Sequence, residues 1–336
     1  MRYYVQFNAG LAELAVSALT QDLGQAAAVF RDDSAAVVET TAEPAQVAAL
    51  AYLKNSFLVL AEARRGRLAV SVPALATQLS RAAASRLIPA RRPFRVLTSV
   101  DGGLVAVPPA ARARLESVVA ERTGGFVQAR GGGEEYWVIG RRDLPTLLLG
   151  LRLPGARPAA APPGALRADL ADLLVRASGP RPDDVFLDPF AGSGSLVLAR
   201  LQFPARRVIY CDAGQREPRP ELHRARKVQF LAEDALVLPS IADGAVDAVV
   251  TDPPWGEFQA LDVPFPEFAA GLAASLRRVL RRPGGRFVVL ISRRQEDALR
   301  QALAGAGLVP SAARQILVGG HPATVLAGQT GRPCNG

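Results

Sequence analysis

The sequence predicts an α/β chain in which a mostly parallel, doubly wound sheet in residues 164–328 follows an α+β region in residues 1–152. From residue 185 onward, short apolar runs alternate with helical patterns, which is typical of parallel strands joined by crossover helices. Before residue 153, strands and helices follow each other without that regular alternation. Pro, Gly and Ala dominate residues 153–163, so we expect a linker there.

Length and composition exclude several classes of protein. A chain of 336 residues with 49% apolar side chains can form two or three domains with large cores. It has no uncharged apolar run of about 18 residues, which would predict a membrane helix, and its start lacks a secretory pattern. The two cysteines, Cys211 and Cys334, exclude a disulfide scaffold and favour a reducing, cytoplasmic environment. With two histidines, His223 and His321, and no Cys/His cluster, no metal site is expected.

Residues 1–60 predict a small α+β domain. The predicted elements are a strand at 2–8, a helix at 10–19, a strand at 35–40, a helix at 43–51 and a strand at 57–61. Pro44 supports the second helix because proline is favoured in a first helical turn. This order of strands and helices suits a ferredoxin-like unit.

Residues 61–152 predict a second α+β domain. Its predicted elements are helices at 72–85 and 109–123 and strands at 94–99, 125–130 and 135–139. Glycines 131–133 lie between the last two strands, so we expect a hairpin turn there.

The middle of the chain is basic. Residues 61–150 carry fourteen basic and seven acidic side chains, whereas residues 1–60 carry three and six. Such an excess would attract a phosphate backbone, but it also fits a solvated surface in a chain whose cations are nearly all arginine. The candidate phosphate-contacting residues are Arg91, Arg92, Arg95, Arg112, Arg114, Arg130, Arg141 and Arg142.

The C-terminal half predicts five parallel strands and an antiparallel edge. The five strands are 185–188, 207–211, 228–231, 245–251 and 285–291, and the edge pair is 315–318 with 323–327. We expect a flexible tail at residues 329–336.

The first of these strands runs into a glycine turn, Asp188-Pro189-Phe190-Ala191-Gly192-Ser193-Gly194-Ser195-Leu196. Gly192 and Gly194 permit a tight turn and the close approach of a ligand. A dinucleotide-binding turn would carry Gly or Ala where Val197 stands, and no phosphate-loop Lys-Ser/Thr follows. The turn therefore predicts a different ligand.

Four strands end in acidic residues: Asp188, Asp212, Asp234 and Asp252. Parallel strands present their carboxyl ends at one edge of the sheet, so the four side chains should meet in one crevice. Asp212, twenty-four residues after Asp188, suits a carboxylate that accepts ribose hydroxyls. Asp234 would accept an adenine amino group.

The fourth strand leads into Asp252-Pro253-Pro254-Trp255. Two prolines cannot continue a strand or enter a helix interior, so they enforce a tight exit. A carboxylate, the Pro253 carbonyl and an aromatic face would then point the same way, as needed to hold a planar group with an exocyclic amine. A proline-rich turn with a packing tryptophan is the alternative.

With these motifs in this order, the chain resembles the class I S-adenosylmethionine-dependent methyltransferases that modify amino groups. More narrowly, it resembles the THUMP-domain RNA methyltransferases, whose tRNA members methylate the 2-amino group of guanosine. Three further stretches carry the resemblance: Phe7–Leu14, Gly164–Ala171 and Pro266–Arg286. The resemblance implies a Rossmann-like domain at 164–328, a ferredoxin-like domain at 1–60 and a THUMP-like RNA-binding domain at 61–152.

The resemblance also implies the cofactor and its site. S-adenosylmethionine would be bound by Asp188, Phe190, Gly192, Ser193, Gly194, Ser195, Asp212, Asp234 and Asp252. Asp252, Pro253, Pro254 and Trp255 would hold the target base, with Trp255 stacked on it. Two departures stand out: Pro218 and Pro220 shorten the helix expected after Asp212, and Trp255 stands where tRNA members more often have tyrosine.

The expected reaction is methyl transfer to the 2-amino group of a guanosine in tRNA. Ribosomal RNA guanine or adenine methylation and a catalytically idle RNA-binding protein remain alternatives. Protein glutamine methylation is disfavoured because that class normally has Asn in place of Asp252. Thiouridine synthesis is disfavoured because its ATP-pyrophosphatase loop is missing. The modified position, the oligomeric state and the need for a small activating subunit stay open.

Overall fold

The computed structural model describes residues 1–82, 91–128, 132–155, 164–214, 218–257 and 260–331. The chain divides into two compact units, Met1–Phe7 with Val16–Arg157 and Asn8–Ala15 with Pro158–Gly336. Within the described residues, one unit contains a nine-stranded sheet and the other a seven-stranded sheet. None of the helices in the described part of the chain is long and apolar enough to cross a membrane.

The first unit begins with the βαββαβ order of a ferredoxin-like domain. Its elements are β1 (Arg2–Gln6), α1 (Ala12–Leu23, which belongs to this unit from Val16 onward), β2 (Ala27–Arg31), β3 (Ala35–Glu39), α2 (Pro44–Ala48) and β4 (Asn55–Arg64). The strand order is β2-β3-β1-β4, with β1 antiparallel to both β3 and β4. Sequence reasoning missed β2 because this largely exposed edge strand lacks an apolar–polar alternation.

The same sheet continues through the rest of the first unit. Its further elements are α3 (Leu68–Arg81), β5 (Pro93–Val100), β6 (Gly103–Leu104), α4 (Pro109–Thr123), β7 (Phe126–Val127), β8 (Glu134–Gly140) and β9 (Thr146–Arg152). β4 pairs with β1 on one side and with β9 on the other, so the predicted border between residues 60 and 61 falls inside this strand. The sheet is mixed, because β5 is parallel to β7 and β8 but antiparallel to β6.

The prediction of a glycine hairpin between residues 125–130 and 135–139 is wrong. Phe94 in β5 pairs with Val127 of β7 and with Glu134 of β8, and both pairings are parallel. β7 and β8 therefore lie on opposite sides of β5. Strands that run in the same direction cannot be joined by a tight hairpin turn, so Gly132 and Gly133 do not form one. Residues 129–131 lie outside the described part of the chain.

The second unit has the predicted doubly wound architecture. Its elements are α5 (Ala168–Ala177), β10 (Val185–Asp188), α6 (Ser195–Arg200), β11 (Arg207–Cys211), α7 (Pro220–His223), β12 (Val228–Leu231), β13 (Ala248–Thr251), α8 (Phe265–Val279), β14 (Arg286–Ser292), α9 (Glu296–Gly305), β15 (Pro310–Val318) and β16 (His321–Gln329). The strand order is β12-β11-β10-β13-β14-β16-β15. The first five strands are parallel, and β16 and β15 form an antiparallel edge, as predicted.

The boundaries of this unit largely follow the sequence signals. β10, β11 and β12 span the predicted residues, whereas β13 begins three residues later than predicted. Within its described residues, the segment expected to be shortened by Pro218 and Pro220 contains one helix, the four-residue α7. Gln329 closes β16, and the backbone N–H of buried Thr330 donates to the Gly285 carbonyl, while the Thr330 hydroxyl oxygen accepts the Gly285 N–H. Hydrogen-bonded structure therefore continues past residue 329, where the flexible tail was predicted to begin. Residues 332–336 lie outside the described part of the chain.

The core of the second unit lies along its central strands. β14 is buried from end to end because it pairs with β13 on one side and β16 on the other. Its continuous apolar run is typical of a strand covered on both faces. The buried side of α8 presents Phe268, Leu272, Leu276 and Val279, which recur at helical spacing. This packing fixes the carboxyl ends of the strands relative to one another.

A charged cluster lies at the opposite, amino edge of the sheet. Asp184 precedes β10 and accepts hydrogen bonds from the guanidinium groups of Arg200 and Arg286. Asp184 and Arg200 are almost completely buried. Asp184 also accepts a bond of 2.8 Å from the Arg181 backbone N–H. The cluster ties β10, α6 and β14 together.

Candidate active site

The four acidic strand ends meet in one cleft of about 640 Å³ at the carboxyl edge of the second sheet. Asp188, Asp212, Asp234 and Asp252 all line it, as do Phe190, Gly192, Ser193, Ser195 and the Pro253–Trp255 segment. Its volume falls within the range of about 300–1,000 Å³ that is common for small-molecule sites. Of the residues predicted to bind the cofactor or the target base, only Gly194 is not part of the lining.

The two glycines of the turn have different roles. Gly192 faces the cleft, and a Cβ added there would meet only the Phe190 carbonyl oxygen, at 4.0 Å. Gly194 has a left-handed φ of 80°, and a Cβ there would lie 2.3 Å from Cδ1 of Leu222 in α7. Gly194 therefore permits close packing behind the turn, while Gly192 leaves room for a ligand.

Asp212 holds the glycine turn as well as facing the cleft. One carboxylate oxygen accepts the Gly192 N–H at 2.6 Å, and the other accepts the Gly214 N–H at 2.8 Å. The Tyr210 hydroxyl donates to the Gly192 carbonyl at 2.6 Å. A carboxylate can accept about four hydrogen bonds, so Asp212 retains acceptor capacity for ligand hydroxyls. Asp234 is exposed and accepts a bond from the Leu236 backbone N–H at 2.9 Å.

Asp188 is the most deeply buried carboxyl group of the cleft. Burial raises its pKa to about 8, and the nearby carboxylates of Asp252 and Asp212 add to the rise. Its Oδ1 accepts the Phe190 backbone N–H at 3.3 Å, which favours the ionised form but does not offset burial. Asp188 is therefore poised to ionise when a cation binds beside it.

Asp252 and Trp255 form a hydrogen-bonded pair. The Trp255 Nε1–H donates to Asp252 Oδ1 at 3.0 Å, and the indole is only 9% exposed. Burial raises the pKa of Asp252 to about 7, and the indole N–H opposes this rise. Within the described residues, Oδ2 of Asp252 accepts no hydrogen bond from the protein. Trp255 thus orients the carboxylate and leaves one oxygen for a ligand.

Sequence reasoning missed part of the cleft wall. Val318 and His321, at the turn between β15 and β16, line the cleft together with Gly164, Ala165 and Leu166. The antiparallel edge strands were predicted, but nothing in their sequence indicates where their turn lies relative to Asp252. Sequence reasoning also missed the hydrogen bond between Glu257 and buried Ser292, which ties the chain after Trp255 to the end of β14.

The predicted phosphate-contacting arginines fall into distinct groups. Arg95 and Arg141 bond to Glu135 and Asp32, and Arg92 and Arg112 pair with Glu134 and Glu116. Arg91, Arg114 and Arg142 are exposed and have no ion pair within the described residues. Arg130 lies outside those residues. Of the seven candidates that the structure describes, these three therefore have no carboxylate competing with an anionic partner.

The pKa of Glu135 reflects its ion pair with Arg95. Burial raises the pKa of Glu135, but hydrogen bonds from Arg95, Arg152 and Trp137 outweigh it and lower the pKa to about 2. Arg152 Nη1 lies 2.8 Å from this carboxylate and Trp137 Nε1 lies 3.0 Å from it. These contacts join β5, β8 and β9, so Arg95 has a structural role in the sheet.

A test of the buried carboxyl group is the variant Asp188→Asn. In the unfolded chain this carboxyl ionises near a pKa of about 3.9. In the folded protein its pKa is about 8, so between its unfolded and folded pKa values the folded state binds more protons than the unfolded state. The contribution of Asp188 to the free energy of unfolding therefore falls as the pH rises through this range. We expect Asp188→Asn to raise the melting temperature at pH 8 relative to the unmutated chain, and the gain to shrink at pH 5. Parallel melting-temperature curves for the two proteins across this range would contradict the assignment.

Comparison with known proteins supports the interpretation of this cleft. The family model described as UPF0020: RMKL-like, methyltransferase domain matches residues 154–209, which include β10, the glycine turn and α6. No curated protein matches the sequence.

Solved structures match nearly the whole chain. TrmN from Thermus thermophilus superposes with a TM-score of 0.71 at 21% identity, covering 98% of this chain and 99% of that one. A predicted N6-adenine-specific DNA methylase from Listeria monocytogenes gives 0.66 at 14% identity, covering 98% and 96%. SMU.472, solved in complex with SAH, gives 0.64 at 11% identity, covering 99% of each chain. At these identities the likeness establishes the fold.

The family match within residues 154–209 and the shared fold support a class I methyltransferase domain in the second unit, with S-adenosylmethionine as its cofactor. The cleft suits this cofactor in size, and its acidic residues lie at the ends of β10, β11 and β12, where such folds bind nucleotides. Open space in front of Gly192 and the buried, protonatable Asp188 fit the cationic methionine portion.

Proposed function

We propose that this chain transfers a methyl group from S-adenosylmethionine to the exocyclic 2-amino group of a guanosine in tRNA, in the cytoplasm. The observation that carries the proposal is the Asp252 carboxylate, oriented by the Trp255 indole in the same cleft as the Gly192 turn. The choice of guanosine and tRNA rests on the sequence resemblance to the THUMP-domain methyltransferases.

The cofactor site is assigned to the residues at the ends of β10, β11 and β12. Asp188 and the Gly192–Ser195 turn would hold the methionine portion, Asp212 the ribose and Asp234 the adenine. Bound S-adenosylmethionine supplies an electrophilic methyl group. Since Asp212 also holds the turn through Gly192, it couples ribose binding to the shape of the methionine subsite.

The acceptor site is assigned to Asp252 through Trp255. An exocyclic nucleobase amine is a weak nucleophile because its lone pair is delocalised into the ring. Hydrogen bonds from this amine to Asp252 Oδ2 and to the Pro253 carbonyl would favour tetrahedral nitrogen and direct its lone pair towards the methyl group. The bond to the carboxylate is the stronger because it is charge-assisted. The rate then depends on positioning and electrostatics.

The sequence resemblance implied that Trp255 stacks on the target base, and this proposal gives Trp255 a different main role. Its indole is mostly buried and its N–H is bonded to Asp252, so its main contribution is to orient the carboxylate. Its remaining exposed surface still contributes to the wall that the base contacts. The base must leave its stack to reach the cleft, as is general for enzymes that modify bases.

Residues 61–152 are proposed as a THUMP-like RNA-binding domain. The support is the basic excess of this region together with the exposed, carboxylate-free Arg91, Arg114 and Arg142. Arg95 and Arg141 are left out of the proposed contact set because their guanidinium groups are bound to Glu135 and Asp32.

A second candidate function is methylation of an adenine amino group in RNA or DNA. One observation favours it: tryptophan, which stands at position 255 here, also occurs at the corresponding position in adenine-amino methyltransferases. Adenine, like guanine, presents a planar ring with an exocyclic amine. The chemistry at Asp252 would be the same, and only the base would differ.

The deciding experiment is nucleoside mass spectrometry after incubating the purified chain with labelled S-adenosylmethionine. Unmodified tRNA, ribosomal RNA and DNA are offered separately, and Asp252→Ala serves as the inactive control. Label in 2-methylguanosine from tRNA alone is expected. Label in methyladenosine would replace the proposed base, and binding of S-adenosylhomocysteine without transfer to any of these nucleic acids would contradict the proposed reaction.

A further inference from the structure

The glycine turn is anchored to the end of β11 by three consecutive residues. The Tyr210 hydroxyl donates to the Gly192 carbonyl at 2.6 Å, and the Asp212 carboxylate accepts the Gly192 N–H, also at 2.6 Å. Between these two residues, the Cys211 carbonyl accepts the Ala191 N–H at 2.9 Å. The turn that leads from β10 to α6 is therefore held by β11, the neighbouring strand of the sheet.

Tyr210 contacts the turn from the interior of the second unit. It is almost completely buried, and it is not among the residues that line the cleft. In the sheet it is paired with Asp188 of β10. Its ring packs against Phe230 with ring centroids 5.3 Å apart. The ring therefore belongs to the packing of the sheet, while the hydroxyl reaches the turn.

The Tyr210 hydroxyl fixes the orientation of the peptide group between Gly192 and Ser193. This peptide is trans, and a planar trans peptide directs its carbonyl and its N–H in opposite directions. Because the Gly192 carbonyl points at the Tyr210 hydroxyl, the Ser193 N–H points away from it. This N–H donates to no acceptor in the described part of the protein, and Ser193 lines the cleft. It is a backbone donor that a ligand in the cleft can use.

Gly192 does not fix the orientation of this peptide by itself. Its φ is 51°, in the left-handed region, and glycine permits a wide range of backbone angles. The Asp212 carboxylate holds the preceding peptide group, through the Gly192 N–H. Rotation about ψ of Gly192 would turn the following peptide, and the Ser193 N–H with it, without breaking that bond. The hydrogen bond from Tyr210 opposes this rotation.

We propose that Tyr210 is a positioning residue for the cofactor: by holding the Gly192 carbonyl, its hydroxyl directs the Ser193 N–H to the carboxylate of the methionine portion. This inference rests on the part of the proposed function that places the methionine portion at this turn. A bond from an N–H group to a carboxylate is charge-assisted and therefore strong. Tyr210 does not touch the cofactor. It fixes the donor before the cofactor arrives, which lowers the ordering cost of binding.

The variant Tyr210→Phe tests this role because it removes the hydroxyl and keeps the ring that packs on Phe230. Calorimetry compares S-adenosylmethionine with its decarboxylated form, which keeps the adenine, ribose, sulfonium and amine but lacks the carboxylate. We expect Tyr210→Phe to bind S-adenosylmethionine about 3- to 10-fold more weakly, as for the loss of one hydrogen bond. Its affinity for the decarboxylated form should be unchanged. A purely structural role of Tyr210 would weaken the binding of both ligands alike.

Ser178→Ala is the matched control. It removes another buried hydroxyl of the second unit, which donates to the Val175 carbonyl at the same distance of 2.6 Å. Ser178 lies at the end of α5 and does not line the cleft. Its loss should leave the affinity for both ligands unchanged. Melting temperatures of the two variants would compare the stability lost with each hydroxyl.

Binding is measured without RNA, so the result does not depend on which base is methylated. If the unmutated chain binds neither ligand, the cofactor assignment itself fails. If it binds S-adenosylmethionine, three results would overturn the role of Tyr210: equal losses for both ligands in Tyr210→Phe, no loss for either, or equal affinity of the unmutated chain for the two ligands. A loss confined to S-adenosylmethionine supports it.

Discussion

Asp252→Ala is expected to abolish methyl transfer while leaving S-adenosylhomocysteine binding nearly intact. The carboxylate is oriented by Trp255 in the wall of the cleft, and in the proposed reaction its second oxygen accepts a hydrogen bond from the target amine. Removing one preorganised hydrogen-bonding group of this kind costs on the order of 10²–10³ in kcat. Single-turnover rates would measure the loss, and calorimetry with S-adenosylhomocysteine would measure binding.

Asp243→Ala is a matched control for Asp252→Ala. It also removes one carboxylate from the second unit, but Asp243 is an exposed partner of Arg278 in the loop before β13. Its activity should equal that of the unmutated chain. An Asp252→Ala protein that kept full activity would refute the mechanism.

The pH dependence provides a second readout of Asp252. Burial raises its pKa to about 7, and only the ionised carboxylate is a charged acceptor. The kcat/KM of the unmutated chain should therefore rise with pH up to about 7 and then level off. The residual activity of Asp252→Asn should lack this rise.

Asp184→Ala is expected to produce the largest loss of stability in the second unit. The substitution leaves the completely buried Arg200 and the largely buried Arg286 without their shared carboxylate. Breaking a buried ion pair from one side costs about 3–5 kcal/mol, because the remaining charge is desolvated and uncompensated. Urea unfolding monitored by circular dichroism would show this as a lower midpoint at an unchanged m-value.

Asp183→Ala serves as the control for Asp184→Ala. Asp183 is the preceding residue and is exposed, so its loss should change the unfolding free energy by less than about 0.5 kcal/mol. Equal midpoints for the two variants would show that the buried cluster contributes little. A loss seen only for Asp184→Ala would identify the amino edge of the sheet as a stability determinant separate from the cleft.

The sequence was most informative where the signal is local. β10, β11 and β12 are short apolar runs that end at polar residues, so their boundaries agree with the prediction. The acidic residues at their ends share one cleft because parallel strands place like ends together. The shortened helix before β12 follows from Pro218 and Pro220, and proline acts on its own backbone and on the residue before it.

Pairing between distant segments had no local signature. β2 is an exposed edge strand that is recognisable through its partner β3, and the supposed glycine hairpin fails because β7 and β8 both pair with β5. The arginines of residues 61–150 looked equivalent in sequence. Only the fold places Glu135 beside Arg95 and Asp32 beside Arg141, which removes them from the available surface.

The sequence by itself determined the doubly wound sheet, the glycine turn and the identity of the acidic strand ends, because each depends on residues close together in the chain. The tertiary structure decided that Gly194 packs on Leu222, that Trp255 orients Asp252 and that His321 lines the cleft. These contacts depend on strand order and register. Strand order and register are set by the packing of the whole sheet, and no short segment encodes them.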